Sequence, residues 1–112
     1  MRKAPEQPYG VEIYTVDGMF IKQMVIPKTG TLVPTHAHAW DHVSMLAIGA
    51  VKIWRDGVGG EIVHAPTGIF IKAGVKHAFL ALEDNTIIFC VHNLHSEAAV
   101  KVLEEHDLAL EC

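Results

Sequence analysis

Histidine is the residue type whose number and spacing stand out. Eight occur in 112 residues, and three of them, His36, His38 and His42, fall in the stretch Thr35–His36–Ala37–His38–Ala39–Trp40–Asp41–His42. On an extended chain successive side chains point to opposite faces. His36 and His38 therefore face the same way, ~7 Å apart along the strand, and both imidazoles can reach one ion. His42 lies a further even step along, and a bend at Ala39–Trp40–Asp41 brings it back beside the first two. A fourth histidine, His77, opens a later strand just after Ala73–Gly74–Val75–Lys76. In a closed sandwich that strand can lie next to the first. Neutral imidazole is the commonest metal ligand near physiological pH, and it suits Zn, Cu, Fe and Ni. Any one of these residues alone reads more readily as a surface or hydrogen-bonded core histidine. His36 and His38 together, after a Gly/Pro turn in an apolar β chain, read as ligands.

Other side chains are placed to surround such a centre. Cys90 and His92 share one face of the last long strand by period-two spacing. Both can line the cavity, His92 behind the ligands or as a proton shuttle; core packing for Cys90 and a strand-end surface position for His92 are the plainer readings. Phe79 follows His77 by two and points into the same cavity, and Met45 is placed there too, as pocket walls in a mostly apolar site or as plain core. Trp40, within the histidine stretch, shields the site or serves a dimer contact. Asp41 is either a hydrogen-bond acceptor behind the ligands or a solvated loop carboxylate. His64, His95 and His106 lack partners at ligand spacing and read as solvent-facing. The chain has no nucleophile elbow, phosphate loop, dinucleotide fingerprint or CxxC.

The elements that must hold these residues are strands. Val11–Val16 and Met19–Ile26 flank Asp17–Gly18, a strong signal for a two-residue hairpin. Pro27–Lys28–Thr29–Gly30 breaks that run. Val43–Ile48, Val51–Trp54, Glu61–His64, Ile69–Lys72, His77–Leu82 and Thr86–His92 supply further strands. Between them stand the turn signals Gly49–Ala50, Asp56–Gly57 with Gly59–Gly60, Pro66–Thr67–Gly68, Ala73–Gly74 and Glu83–Asp84–Asn85. Short strands at this spacing predict an all-β sandwich or barrel. Residues 1–10 read as an N-terminal arm, 11–95 as the barrel, and 96–112 as a helix and tail. The helix runs over Ser96–His106, with Ser96 as N-cap and Glu97 in the first turn.

Composition narrows the classes of partner. Half the residues are apolar and the net charge is −4, so the chain is not of a disordered type and has no basic surplus for nucleic acid. The longest apolar run, Met45–Val51, is far short of the roughly 20 residues of a spanning helix, and the first eight residues do not read as a secretion signal. Cys90 and Cys112 do not make a disulfide framework, which fits a cytoplasmic protein. Apolar outer positions, such as alternate residues of Met19–Ile26, predict a homodimer.

With these residues in place, the chain resembles a small single-domain cupin, a double-stranded β-helix or jelly-roll barrel. The first motif of that family, G(X)5HXH(X)3–4E(X)6G, matches in every spacing through Gly30, His36, His38, His42 and Gly49; His42 stands where glutamate is usual. The second, G(X)5PXG(X)2H(X)3N, matches at Gly74 and His77. It departs at Pro66, Lys72 and Ala81, which stand in place of glycine, proline and asparagine. The resemblance covers roughly 11–92 and implies one divalent transition metal on His36, His38, His42 and His77. Four neutral histidines leave a charge of +2 on such an ion, against +1 for three histidines and a glutamate. That favours an anionic ligand and an acidic bound water, and disfavours a higher oxidation state. Two positions stay open on an octahedral ion, whereas zinc would close the set as a tetrahedron; Fe, Mn or Ni is expected over Zn or Cu. The resemblance implies an enzyme of oxygenase-type or Lewis-acid chemistry on a small oxygen-rich or anionic molecule. The alternative is a non-catalytic small-ligand binding module stabilised by its metal.

Overall fold

A computed structural model describes residues 9–34, 37, 38 and 40–93. Of the expected arm over residues 1–10, residues 1–8 lie outside the described residues, as do the helix over Ser96–His106 and the side chain of His36, while Gly10 already belongs to the first strand. Nine strands occupy most of the rest: β1 (Gly10–Val16), β2 (Met19–Ile26), β3 (Leu32–Pro34), β4 (His42–Ile48), β5 (Ala50–Arg55), β6 (Val58–His64), β7 (Thr67–Ile71), β8 (His77–Ala81) and β9 (Thr86–Asn93). They form two antiparallel sheets, one ordered β1-β2-β9-β4-β7 and the other β3-β8-β5-β6. The all-β prediction holds, and the described residues contain no helix.

The turns follow from local chemistry. Asp17 and Gly18 have φ of 46° and 76°, and Asp56 and Gly57 of 51° and 73°. Positive φ at both central residues is the hand that a two-residue hairpin needs, and the registers close as Val16↔Met19 and Arg55↔Val58. Gly59–Gly60, expected as turn, belongs to β6 instead. The register there jumps from Ile53↔Glu61 to Trp54↔Gly59, so Gly60 is the extra residue of a bulge, at φ 87°. β3, a strand of three residues, was not expected, because a run this short carries no periodicity. Of the histidine stretch, the described residues Ala37, His38, Trp40 and Asp41 are not in a strand, and His42 enters β4.

Alternation then sorts the side chains. In the first sheet Phe20, Lys22, Met24 and Ile26 of β2 are fully buried, as are Thr86, Ile88, Cys90 and His92 of β9 and His42, Ser44 and Leu46 of β4. Cross-strand pairing stacks them into rows. Phe20 faces His92; Cys90 lies between Lys22 and Ser44; Ile88 lies between Met24 and Leu46. Opposite them, Val51 and Ile53 of β5, Phe79 and Ala81 of β8 and Val33 of β3 close the core. The barrel is therefore mostly apolar in its depth, with Lys22, Ser44 and Thr86 as buried polar exceptions, and four of its histidines gather at one end. The outward face of the first sheet is apolar too. A groove of about 610 Å³ runs over Ile21, Met45, Pro66, Phe89 and Val91.

Candidate metal centre

Four described histidines meet at the end of the barrel. His42 opens β4 and His77 opens β8, both facing inward; His92 is near the end of β9; His38 comes from the connection before β4. Ring centroids lie 5.1 Å apart for His38–His42, 5.2 Å for His42–His77, 4.6 Å for His42–His92 and 5.3 Å for His38–His92. Ring nitrogens of His38, His42 and His92 fall within 4.8 Å of one another, a spacing that one metal ion can bridge. His42 takes part in three of these four ring contacts. Neither of its ring nitrogens has a hydrogen-bond partner, although both are buried. A buried polar atom in that condition costs roughly 1–3 kcal/mol, and a metal would relieve the cost. The donor set, all imidazole, is one that a divalent transition metal accepts.

The electrostatics suit a ligand. The pKa of His42 is lowered to about 3, first by burial and then by the neighbouring His92, His77 and His38. The ring therefore stays neutral, and its lone pair available, throughout the physiological range.

The backbone around the histidines is cross-braced. Gly74 N donates to His38 O at 2.8 Å, and Ala73 N donates to Asp41 Oδ1 at 2.7 Å. The connection that carries His38 is thus tied to the turn that leads into His77. Asp41, one of whose two expected roles was to hold a histidine, holds this turn instead. Access comes from two sides. A cleft of about 380 Å³ reaches His42 and His92 past Gly18, Met19 and Asn93, and one of about 430 Å³ reaches His77 past Leu32, Pro34 and Trp54.

Other expected site residues divide. Phe79 lies inside as expected, its ring 5.4 Å from that of His77. Trp40 lies over the cluster, stacked on His38 at 5.0 Å, with Nε1 donating to His92 Nδ1 at 3.0 Å. His92 is 2% exposed, so it is not a strand-end surface residue. Cys90 is core rather than pocket wall, fully buried with Sγ 3.9 Å from Ser44 Oγ. Met45 corrects the expectation: it is 45% exposed and lines the outer groove. His42, Ser44 and Leu46 point inward, so the residue between Ser44 and Leu46 must point out. Lys22 was missed. It is fully buried, in register with Cys90, one row deeper than His92. The even positions Phe20, Met24 and Ile26 on either side of it carried the signal.

No protein-family model and no curated protein matches this chain. Solved structures do. KdgF from a Halomonas species superposes with a TM-score of 0.70 at 13% identity, over 85% of this chain and 86% of that one. An RmlC-like cupin with a double-stranded β-helix fold from Methanocaldococcus jannaschii gives a TM-score of 0.67 at 15% identity, over 85% and 88%. The fold is a cupin jelly roll. The DMSP lyase DddQ from Ruegeria pomeroyi shares this cupin fold at a TM-score of 0.65 and 13% identity, over 80% of this chain and 49% of that one. At such identities the likeness is one of fold alone, and the chemistry of this chain has to be argued from its own histidines.

Proposed function

We propose that this cupin binds one divalent transition metal through His38, His42 and His77, together with His36 of the sequence motif. At that centre it acts on a small oxygen-rich or anionic molecule. The observation that carries the reading is His42: a buried neutral ring, both nitrogens without a hydrogen bond, at the meeting point of three other imidazoles. A divalent metal supplies positive charge and Lewis acidity at that point. The chain supplies neutral ligands only, so the charge is not cancelled, and an anion entering by either cleft is attracted to it. Oxygenase-type and Lewis-acid chemistry are both open to a site with free coordination positions, the first requiring a redox-active ion rather than zinc.

The test is metal titration of chelator-stripped protein with Mn(II), Fe(II), Ni(II) and Zn(II), followed by calorimetry. One ion per chain is expected, with His42→Ala weakening binding at least about a hundredfold. Failure of all four metals to bind the wild type would overturn the reading. Iron or manganese in protein purified without chelators supports an enzyme; stoichiometric tetrahedral zinc supports the metal as a structural clamp.

A further inference from the structure

His92 differs from the other histidines of the cluster in two ways. Trp40 Nε1 donates to its Nδ1 at 3.0 Å. An indole nitrogen is a donor only, so Nδ1 of His92 is the acceptor and the proton of the neutral ring sits on Nε2. That nitrogen is buried. A protonated Nε2 has no lone pair to give a metal. The second difference is position: the ring of His92 lies nearly parallel to that of His42, inclined by 20° with centroids 4.6 Å apart, whereas His38 crosses His42 at 84° and His77 crosses it at 47°.

We propose that His92 is not a ligand but the fixed N–H donor of the centre. Trp40 sets its tautomer, and Nε2–H is offered beside His42 to an oxygen of the bound molecule. The molecule this selects is a small carboxylate, one oxygen on the metal and another accepting from His92. Trp40 is the positioning residue: it covers the cluster by stacking on His38 and, through the same indole, keeps the donor on the inward nitrogen. A neutral nitrogen ligand coordinates equally well but accepts nothing from His92, so the device discriminates by ligand chemistry and not by metal affinity. The inference rests on the cluster being a metal centre.

The experiment uses the full chain in three forms: wild type, His92→Phe and Trp40→Phe. Each is loaded with Ni(II) and titrated with oxalate and, separately, with imidazole. Expected for His92→Phe is an unchanged one ion per chain, oxalate binding weakened about tenfold or more, and imidazole binding within about threefold of wild type. Long-range 1H–15N spectra of histidine-labelled wild type, metal-free and Zn(II)-loaded, show His92 as the Nε2–H tautomer in both states. Trp40→Phe populates the Nδ1–H form and weakens oxalate binding. Loss of the metal from His92→Phe, or a metal-shifted His92 nitrogen, makes His92 a ligand and overturns the proposal while leaving the metal centre standing. Unchanged oxalate affinity in His92→Phe overturns it as well. A wild type that takes up no metal removes the centre and the proposal together.

Discussion

Asp41 Oδ1 accepts the backbone N–H of Ala73 at 2.7 Å, across 32 positions of sequence. With Gly74 N on His38 O, this bond ties the first histidine segment to the turn before His77. The two halves of the site come from different sheets, His42 from the β1-β2-β9-β4-β7 sheet and His77 from the β3-β8-β5-β6 sheet. The connections at the barrel end add to the packed core in setting their separation. Preorganisation of the cluster is therefore a property of loop hydrogen bonds as much as of strands.

Asp41→Ala is accordingly expected to keep the fold and lower metal affinity about three- to tenfold, with a loss of stability of about 1 kcal/mol. Asp41→Asn retains a carbonyl oxygen as acceptor and falls between the two. Metal titration by calorimetry, alongside thermal melts of the metal-free proteins, checks this. Wild-type affinity in Asp41→Ala would show that the strands alone hold the histidines in place.

Gly49→Ala is expected to be the more damaging change although it touches no ligand. Gly49 turns the chain from β4 into β5, at φ 96°. A Cβ there would overlap Thr86 Oγ1 and lie 3.0 Å from Thr86 Cα. Thr86 is fully buried and its hydroxyl donates to Glu83 O at 2.8 Å, so it has no room to yield. Left-handed backbone and overpacking together amount to about 2–4 kcal/mol. Gly57→Ala is the comparison: φ is 73° but the space is open, so about 1–2 kcal/mol is lost. Denaturation midpoints of the two variants should rank in that order.

The relation of these features to the sequence is uneven, for physical reasons. Hairpins such as Asp17–Gly18 are legible because the turn's φ requirement is written in residue type. So are the strands with buried inner faces, such as β4 and β9. The histidine cluster is legible in part through spacing: His38 and His77 each lie against His42, and Phe79 points inward. Met45 was misplaced because an apolar residue in an apolar strand gives no sign of which face it occupies; parity with His42 decides it. Lys22 was overlooked because charge normally marks the outward face. The contact of Trp40 with His92 joins residues far apart in sequence, and no local pattern announces such a pair.

The metal-free protein should lose stability in acid, with a sign fixed by His42. Its pKa in the fold is lowered to about 3 from 6.5. Above pH 6.5 neither folded nor unfolded chain binds this proton, and the contribution is fully present. As the pH falls from 6.5 towards 3, the unfolded chain takes the proton and the folded chain refuses it, so the folding equilibrium weakens by at most about tenfold per pH unit. Bound metal should leave over the same range, because its ligands must be neutral. Urea midpoints at pH 7.5 and pH 5 check the first statement. His42→Phe, which keeps a flat ring and removes the proton, should flatten that slope. An unaltered slope would place the acid sensitivity elsewhere.

His42→Glu introduces the glutamate carried by the motif that this stretch resembles and separates a ligand role from a packing role. With metal bound, the charge of the centre falls from +2 to +1, and a bound iron should become easier to oxidise, its potential moving downwards. Without metal, the variant puts a carboxylate in a place where the present side chain is 4% exposed, and burial disfavours the charged form. The metal-free variant should therefore melt about 5–15 °C below wild type, as expected for about 1–3 kcal/mol in a small domain. Mn(II) should restore most of the difference, so that the gain on metal binding exceeds that of wild type. Calorimetric melts with and without Mn(II) provide the measurement. A variant that stays unfolded at saturating metal would make His42 a packing residue whose imidazole serves the fold, and the charge argument for this centre would fall with it.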